Sequence, residues 1–229
     1  MILKIKNSTL AALAAMMFSA CSEKENSSTL SKSEVKWEKE AEGKELSKAE
    51  YKTWIGSQAN PMLFKKKIQD IEYSLRYLPS DYLALREAGK DAKDSLIQQA
   101  KKHYSDLIYF EFNISVPDIN YEAIKYNLPG GQQKISEYDR RVSYCSFGIQ
   151  KDISLVTDKG DSIPCSIVQF ERSFDVAPVC TFQLAFAQQE MEKVKSEVTY
   201  TFHDNLFNKG IIKFSFSKAD LTKVPKLTI

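Results

Sequence analysis

Residues 107–116, LIYFEFNISV, alternate without a break: Ile108, Phe110, Phe112, Ile114 and Val116 fall on one face, and Tyr109, Glu111, Asn113 and Ser115 on the other. Side chains along a strand point to opposite faces in turn, so this stretch reads as a strand with one face in a core and one in water. A strand of that length cannot be satisfied alone; it needs neighbours on both edges and a second layer over its apolar face. The segments that follow supply them. YCSFGI (144–149), ISLVTD (153–158), IPCSIVQF (163–170), VCTFQLAF (179–186), VTYTFH (198–203) and IIKFSF (211–216) come at short spacing, with turn signals at Lys159-Gly160 and Asn208-Lys209-Gly210. VPKLTI at the end can add a last strand.

The segment before residue 107 reads differently. Asn60-Pro61 has the form of a helix start, and Phe64, Ile68, Ile71, Leu75 and Leu78 follow at offsets of 0, 4, 7, 11 and 14. Pro79 closes that pattern, and Ser80 can cap a second helix running to about Tyr104, with Gly89 as an interruption. The expected class is therefore α+β, with an N-terminal helical hairpin over 61–104 packed on a mainly antiparallel β-sheet or sandwich of six to seven strands. Residues 117–141, polar and carrying Pro129-Gly130-Gly131, read as one long loop. The domain is expected to cover 56–229, with its β-rich part at 107–229.

The beginning of the chain has the three parts of an export signal. Lys4 and Lys6 come first, LAALAAMMF (10–18) is mostly apolar, and the small residues Ser19 and Ala20 precede Cys21. The apolar run is far shorter than the ~20 residues that span a bilayer. FSAC at 18–21 resembles the lipobox of bacterial lipoproteins, with Phe18 in place of the usual leucine. The resemblance implies removal of residues 1–20 and lipidation of Cys21, and it leaves 21–55, rich in Ser, Lys and Glu, as a tether. Within that tether, Tyr51, Trp54 and Ile55 cluster as in a short helix over 46–55. Several acyl chains hold a protein to a membrane, since each buried CH₂ contributes about 0.8 kcal/mol. SEKEN at 22–26 is similar to the signals that follow the lipidated cysteine in surface lipoproteins of Bacteroidota. With Ser rather than Asp at position 22, this implies the outer membrane and points to its outer face.

Charge narrows the partners. The chain holds 32 Lys and Arg against 30 Asp and Glu, and Lys4 and Lys6 account for the difference. Without residues 1–20 the chain is formally neutral and lacks the basic excess that phosphate neutralisation requires, so no nucleic-acid partner is expected.

Reactive constellations are sparse. Cys145, Cys165 and Cys180 share faces with apolar neighbours, as buried thiols would; a Cys165–Cys180 disulfide is the other arrangement open to them. His103 lies near a helix end, and His203 lies on the polar face of its strand beside Asp204, which points the other way. No Gly-x-Ser-x-Gly elbow, metal-ligand spacing or phosphate loop appears, and Asp118, Glu122 and Asp139 read as loop charge. No cofactor and no metal is expected. What remains is surface: Tyr109 on the outward face of its strand, and Tyr121, Tyr126, Tyr138, Arg140 and Arg141 in the long loop. Tyr and Arg are large, amphipathic and rich in hydrogen-bonding capacity, which suits them to anchor a contact. The expectation is a lipid-anchored, non-catalytic binding or assembly module with an envelope protein or glycan as partner. Two alternatives stand beside it: an envelope hydrolase whose site is dispersed in sequence, and an inhibitor lipoprotein that neutralises a toxin.

Overall fold

A computed structural model describes residues 41–89, 91–129 and 135–229. The signal, Cys21 and the SEKEN segment lie outside the described residues. No described helix is long and apolar enough to cross a membrane.

The chain is mostly β, with eleven strands in three sheets and several short helices. A five-stranded antiparallel sheet has the order β2-β3-β4-β8-β7, built from Leu63–Ile68, Ile71–Leu78, Leu107–Ser115, Val179–Ala187 and Ile167–Arg172. A four-stranded sheet has the order β10-β9-β5-β6, from Gly210–Ser217, Glu197–Asp204, Ile153–Thr157 and Ser162–Pro164. The two sheets meet through aromatic rings. Phe112 of β4 lies 5.3 Å from Tyr200 and 5.2 Å from Phe202 of β9, and Phe110 lies 5.6 Å from Phe216 of β10. Such pairs contribute about 0.5–1.5 kcal/mol each beyond the area they bury. One buried carboxylate also ties the layers. Asp204 at the end of β9 accepts from the Tyr73 hydroxyl of β3 at 2.8 Å, and from the backbone N–H groups of Leu206, Phe207 and Lys209.

The expected helical hairpin over 61–104 is overturned. Residues 63–78 are a β-hairpin whose two-residue turn, Gln69-Asp70, has Gln69 at φ 57°. The misreading has a physical origin. Phe64 to Ile68 and Ile71 to Leu75 are each spaced by four, which fits both a helical turn and one face of a strand. Tyr73 decides between them: it sits midway between Ile71 and Leu75 and is as fully buried as both, which a strand face allows. Two helices do follow, α2 (Ser80–Ala88) and α3 (Asp94–Lys101), separated at Gly89, whose φ of 90° ends the first. They pack with α1 (Lys48–Gly56) and not as a hairpin on the sheet. Tyr51, Trp54, Ala84, Leu85, Ile97 and Leu227 form a second core, distinct from the inter-sheet one. A parallel two-stranded sheet, β1 (Glu45–Leu46) with β11 (Lys226–Leu227), closes it. Folded structure therefore begins before the expected boundary at 56, and α1 carries a Ser47–Glu50 capping box.

Three further readings are corrected. YCSFGI is helical: α4 (Ile135–Ser143), which takes up part of the expected long loop, runs into a π-helical turn at Tyr144–Gly148 and a 3₁₀ turn at Ile149–Asp152. Gly148 is required there, because a Cβ would stand 2.9 Å from the Tyr144 ring, whose hydroxyl donates to Asp152 at 2.7 Å. IPCSIVQF is two strands in different sheets. The switch falls between Cys165, whose N–H donates to Ile153, and Ser166, whose N–H donates to Ala185. The Gln150 side-chain amide holds the corner by donating to the carbonyls of Cys165 and Ser166, at 2.9 and 3.0 Å.

Cys145, Cys165 and Cys180 are free and buried. Burial pushes the Cys165 thiol up to about 11 and the Cys180 thiol up to about 12. Thiolate is the reactive form. The expected outcome of native labelling with iodoacetamide at neutral pH is no adduct on these three residues, with all three modified after unfolding in urea. Peptide mass spectrometry reads it, and a native adduct on any of them contradicts the packing described.

Candidate contact surface

The β7–β8 connection runs from Ser173 to Pro178, and two of its residues are left-handed: Phe174 at φ 48° and Asp175 at φ 64°. For an aromatic residue that region is a genuine outlier, costing about 1–2 kcal/mol. Such a conformation persists only where its surroundings over-determine it, and here they do. The Val176 N–H donates to the Ser173 carbonyl at 2.9 Å, and the Ser173 hydroxyl donates to the Ala177 carbonyl at 2.7 Å. Asp175 is held from below, accepting from the Glu122 N–H at 2.9 Å and from Lys125 Nζ at 2.5 Å.

Glu122 is the centre of the clamp. Its side chain is almost fully buried, and an unpaired buried carboxylate costs several kcal/mol. It accepts from the Tyr138 hydroxyl at 2.6 Å and from Arg172 Nη2 at 3.3 Å, and Lys125 Nζ lies at 3.6 Å. Arg172 also donates to the Tyr138 hydroxyl, so β7, α4 and the 3₁₀ turn at Ala123–Lys125 close on one carboxylate. Burial, then hydrogen bonding to Glu122, pushes Tyr138 up to about 12. The Arg172 guanidinium carbon lies over the Phe174 ring, 4.3 Å from its centre.

This frame tethers Asp175 inward and presents its neighbours outward. Phe174 is 68% exposed and Val176 89%. Ile135, Phe147 and Ile167 are also exposed, on α4, the π turn and β7. Five of the seven large apolar side chains exposed among the described residues thus lie between 135 and 176; Phe174 and Val176 share the tip, and Ile167 opens β7 at its other end. Scattered apolar residues are ordinary on a surface; the tip pair is set apart by the conformation in which Phe174 is held.

No family model matches the chain, and no curated protein is similar to it. A DUF4426 family protein from Pseudomonas aeruginosa PAO1, known from a crystal structure, matches at a TM-score of 0.33 and 10% identity, over 69% of this chain and 93% of that one. A likeness of that size carries no argument about function.

The residues singled out in the sequence fall into different places. Tyr138 belongs to the clamp, with Lys125 Nζ 5.4 Å and the Arg172 guanidinium carbon 5.5 Å from its ring centre. Tyr126 packs on Phe207, and Tyr121 is half-buried without a described hydrogen bond. Arg141 is buried and spends its guanidinium on the carbonyls of Ile124, Tyr126 and Asn127. Arg140 is exposed and pairs with Glu137 at 3.0 Å. Tyr109 lies on the outer face of β4, edge-on to Tyr104 at 5.5 Å. Phe174, Val176, Asp175 and Arg172 escaped sequence reasoning, because the clamp joins residues about fifty positions apart. The one local hint was a Phe-Asp pair in the centre of a hairpin turn.

His203 lines a cavity of about 430 Å³ with Phe147, Asp152, Ser154 and Cys165. Asp152 is already engaged by Tyr144 and by the Asn205 amide, and the Cys165 thiol donates to the carbonyls of Ile167 and Ala185. Among the described residues, no hydrogen bond joins His203 to a nucleophile or an acid, and no cluster of three metal-ligating side chains forms.

The clamp carries a pH dependence. The Glu122 N–H, and then Lys125, hold the Asp175 carboxyl below the usual range. A depressed folded value means that the contribution is complete above the unfolded value of about 3.9 and is lost as pH falls through the folded one. The Glu122 amide proton, followed by NMR, is expected to keep its shift down to about pH 4 and to move upfield below it as Asp175 releases the bond. A shift that stays constant through the acid range contradicts the clamp.

Proposed function

We propose that this protein is a lipid-anchored, non-catalytic binding module of the cell envelope that engages its partner through the β7–β8 tip and the apolar side chains beside it. The anchor rests on the likeness of FSAC at 18–21 to a lipobox, with Cys21 as the acylated residue and the outer membrane as the compartment. The contact surface rests on one observation above all: Phe174 is held in a costly conformation by a built clamp and is left exposed. Strain maintained at an exposed aromatic is pre-organisation, which lowers the entropy lost on binding. Fixed aromatic anchors flanked by polar groups suit a protein partner. The test is crosslinking in intact cells followed by affinity purification, comparing the natural chain with Cys21→Ser and with the pair Phe174→Asn and Val176→Ser. One reproducible protein partner, lost in both variants, is the expected result. A partner retained by the tip variant moves the contact elsewhere, and no partner from the anchored chain defeats the reading.

A further inference from the structure

The side of the two sheets opposite β7 is open and basic. In the five-stranded sheet β2 and β7 are the two edges, and in the four-stranded sheet β10 is an edge. Phe64 of β2 lies 6.3 Å from Phe214 and 5.7 Å from Phe216 of β10, so the edges β2 and β10 fall on one side. Lys209, just before β10, joins them by donating to Gln69 in the β2–β3 turn. β10 is eight residues long, and its outer edge pairs with no described strand. The Lys218 N–H donates to the Ser196 carbonyl in register with the β9–β10 ladder. Antiparallel partners alternate between bonded and non-bonded pairs, so Ile211, Lys213 and Ser215 turn their N–H and C=O groups away from β9. None of these backbone groups has a hydrogen-bond partner among the described residues. A row of that kind is a template for another strand.

Charge narrows what can occupy that edge. β2 and β10 together carry Lys65, Lys66, Lys67 and Lys213, all exposed, and no acid. The acids at the β2–β3 turn are Asp70 and Glu72, the latter 3.8 Å from Lys67. Lys66 stands opposite the buried Tyr73, on the core side of β2, and is nevertheless exposed at the open edge. The same lysines exclude a second copy of the chain. Antiparallel pairing of two β10 strands about Lys213 sets two ammonium groups directly opposite each other, which is destabilising, whereas a carboxylate in that place is stabilising. We propose that β10 takes an extended acidic segment of a partner protein as an added antiparallel strand, with an acidic side chain opposite Lys213 and an apolar one opposite Ile211. Ile211 is 50% exposed and gains cover from that pairing. Residues of the segment between these positions turn toward the β2 layer and Lys66. Main-chain bonds supply the affinity of such an addition, and the side chains across the pair supply its choice of partner. The inference is independent of the tip: it concerns the opposite edge and would stand if the tip proved inert.

The test is fluorescence anisotropy with the full chain, held in a zwitterionic detergent at low salt, and labelled peptides. The first peptide is GTEEEVG, which sets threonine, the middle glutamate and valine opposite Ser215, Lys213 and Ile211. The second is GTKKKVG. The third is GTEEEVG with the nitrogens of the middle glutamate and the valine methylated, which keeps the charge and removes two donors. Saturable binding of the first peptide in the micromolar range is expected, with none of the second. Methylation is expected to weaken binding about tenfold, since the freed β10 carbonyls lose their partners. Lys213→Glu is expected to weaken it about tenfold as well, by setting like charges across the pair. Lys66→Gln is expected to weaken it several-fold, and both lysines are exposed, so neither change touches the core. Two results overturn the proposal. No saturable binding of GTEEEVG leaves the lysines as guards of an edge strand, and equal binding of the methylated peptide makes the site one for charge alone.

Discussion

Replacing Arg141 with methionine is expected to lower the stability of the fold by about 3–5 kcal/mol, a large part of the 5–15 kcal/mol typical of a domain. The size follows from what the side chain touches. Arg141 is 6% exposed, and its guanidinium donates to the carbonyls of Ile124, Tyr126 and Asn127 at 2.9, 2.6 and 3.3 Å. It also lies 5.2 Å from the centre of the Phe207 ring. One planar fork thus satisfies the turn that carries Glu122 and Lys125, and methionine leaves those carbonyls facing an apolar chain. An opposing effect limits the loss. Burial, together with Arg140, disfavours the charged form of Arg141, so removing the charge recovers part of the desolvation cost. Arg141→Lys is expected to fall between the two, because a single ammonium cannot span three acceptors arranged for a fork. Urea unfolding followed by near-ultraviolet circular dichroism measures both. A methionine variant within 1 kcal/mol of the natural chain contradicts the assignment of Arg141 to those carbonyls.

The same residue shows how far sequence reasoning reaches here. Arg141 stands out as an arginine among tyrosines, and its type suits a contact anchor. Whether it anchors a partner or its own loop depends on α4 folding back over 122–127, which local periodicity does not encode. Strand β4 was legible because its alternation is unbroken over its whole length, and its inward face is the one expected. The hairpin of β2 and β3 was not, because spacings of four satisfy two periods at once and the turn at Gln69-Asp70 carries no glycine or proline. Cys165 was placed on a buried face correctly but within the wrong element. A strand that changes sheet has the composition of a single strand, and only the backbone partners of residues 165 and 166 reveal the corner. The helices near α1 were legible in part: the Tyr51, Trp54 and Ile55 cluster marked one, but its partners Ala84, Ile97 and Leu227 come from distant segments.

The tip offers the sharper experiment, because stability and binding are expected to move in different directions. Phe174→Asn places at φ 48° a residue that tolerates the left-handed region, recovering part of the roughly 1–2 kcal/mol that phenylalanine gives up there. The lost cation–π contact with Arg172, at 4.3 Å, is worth about 0.5–1 kcal/mol at an exposed site. The net change in stability is therefore expected to lie between zero and about 1 kcal/mol in favour of the variant. Binding is expected to suffer far more. An aromatic anchor at the centre of a contact is worth about 2 kcal/mol or more, roughly thirtyfold in affinity, and Val176→Ser deepens the loss. A variant that gains stability while losing its partner identifies strain held for contact, as the Asp175 clamp implies. If instead Phe174→Asn destabilises the fold and leaves capture of the partner intact, the ring serves the hairpin, and the clamp around Glu122 is a structural brace with no bearing on recognition. Equilibrium unfolding and quantitative crosslinking on the same preparations separate these two outcomes, since the first reads the stability of the fold and the second reads the surface that the hairpin presents.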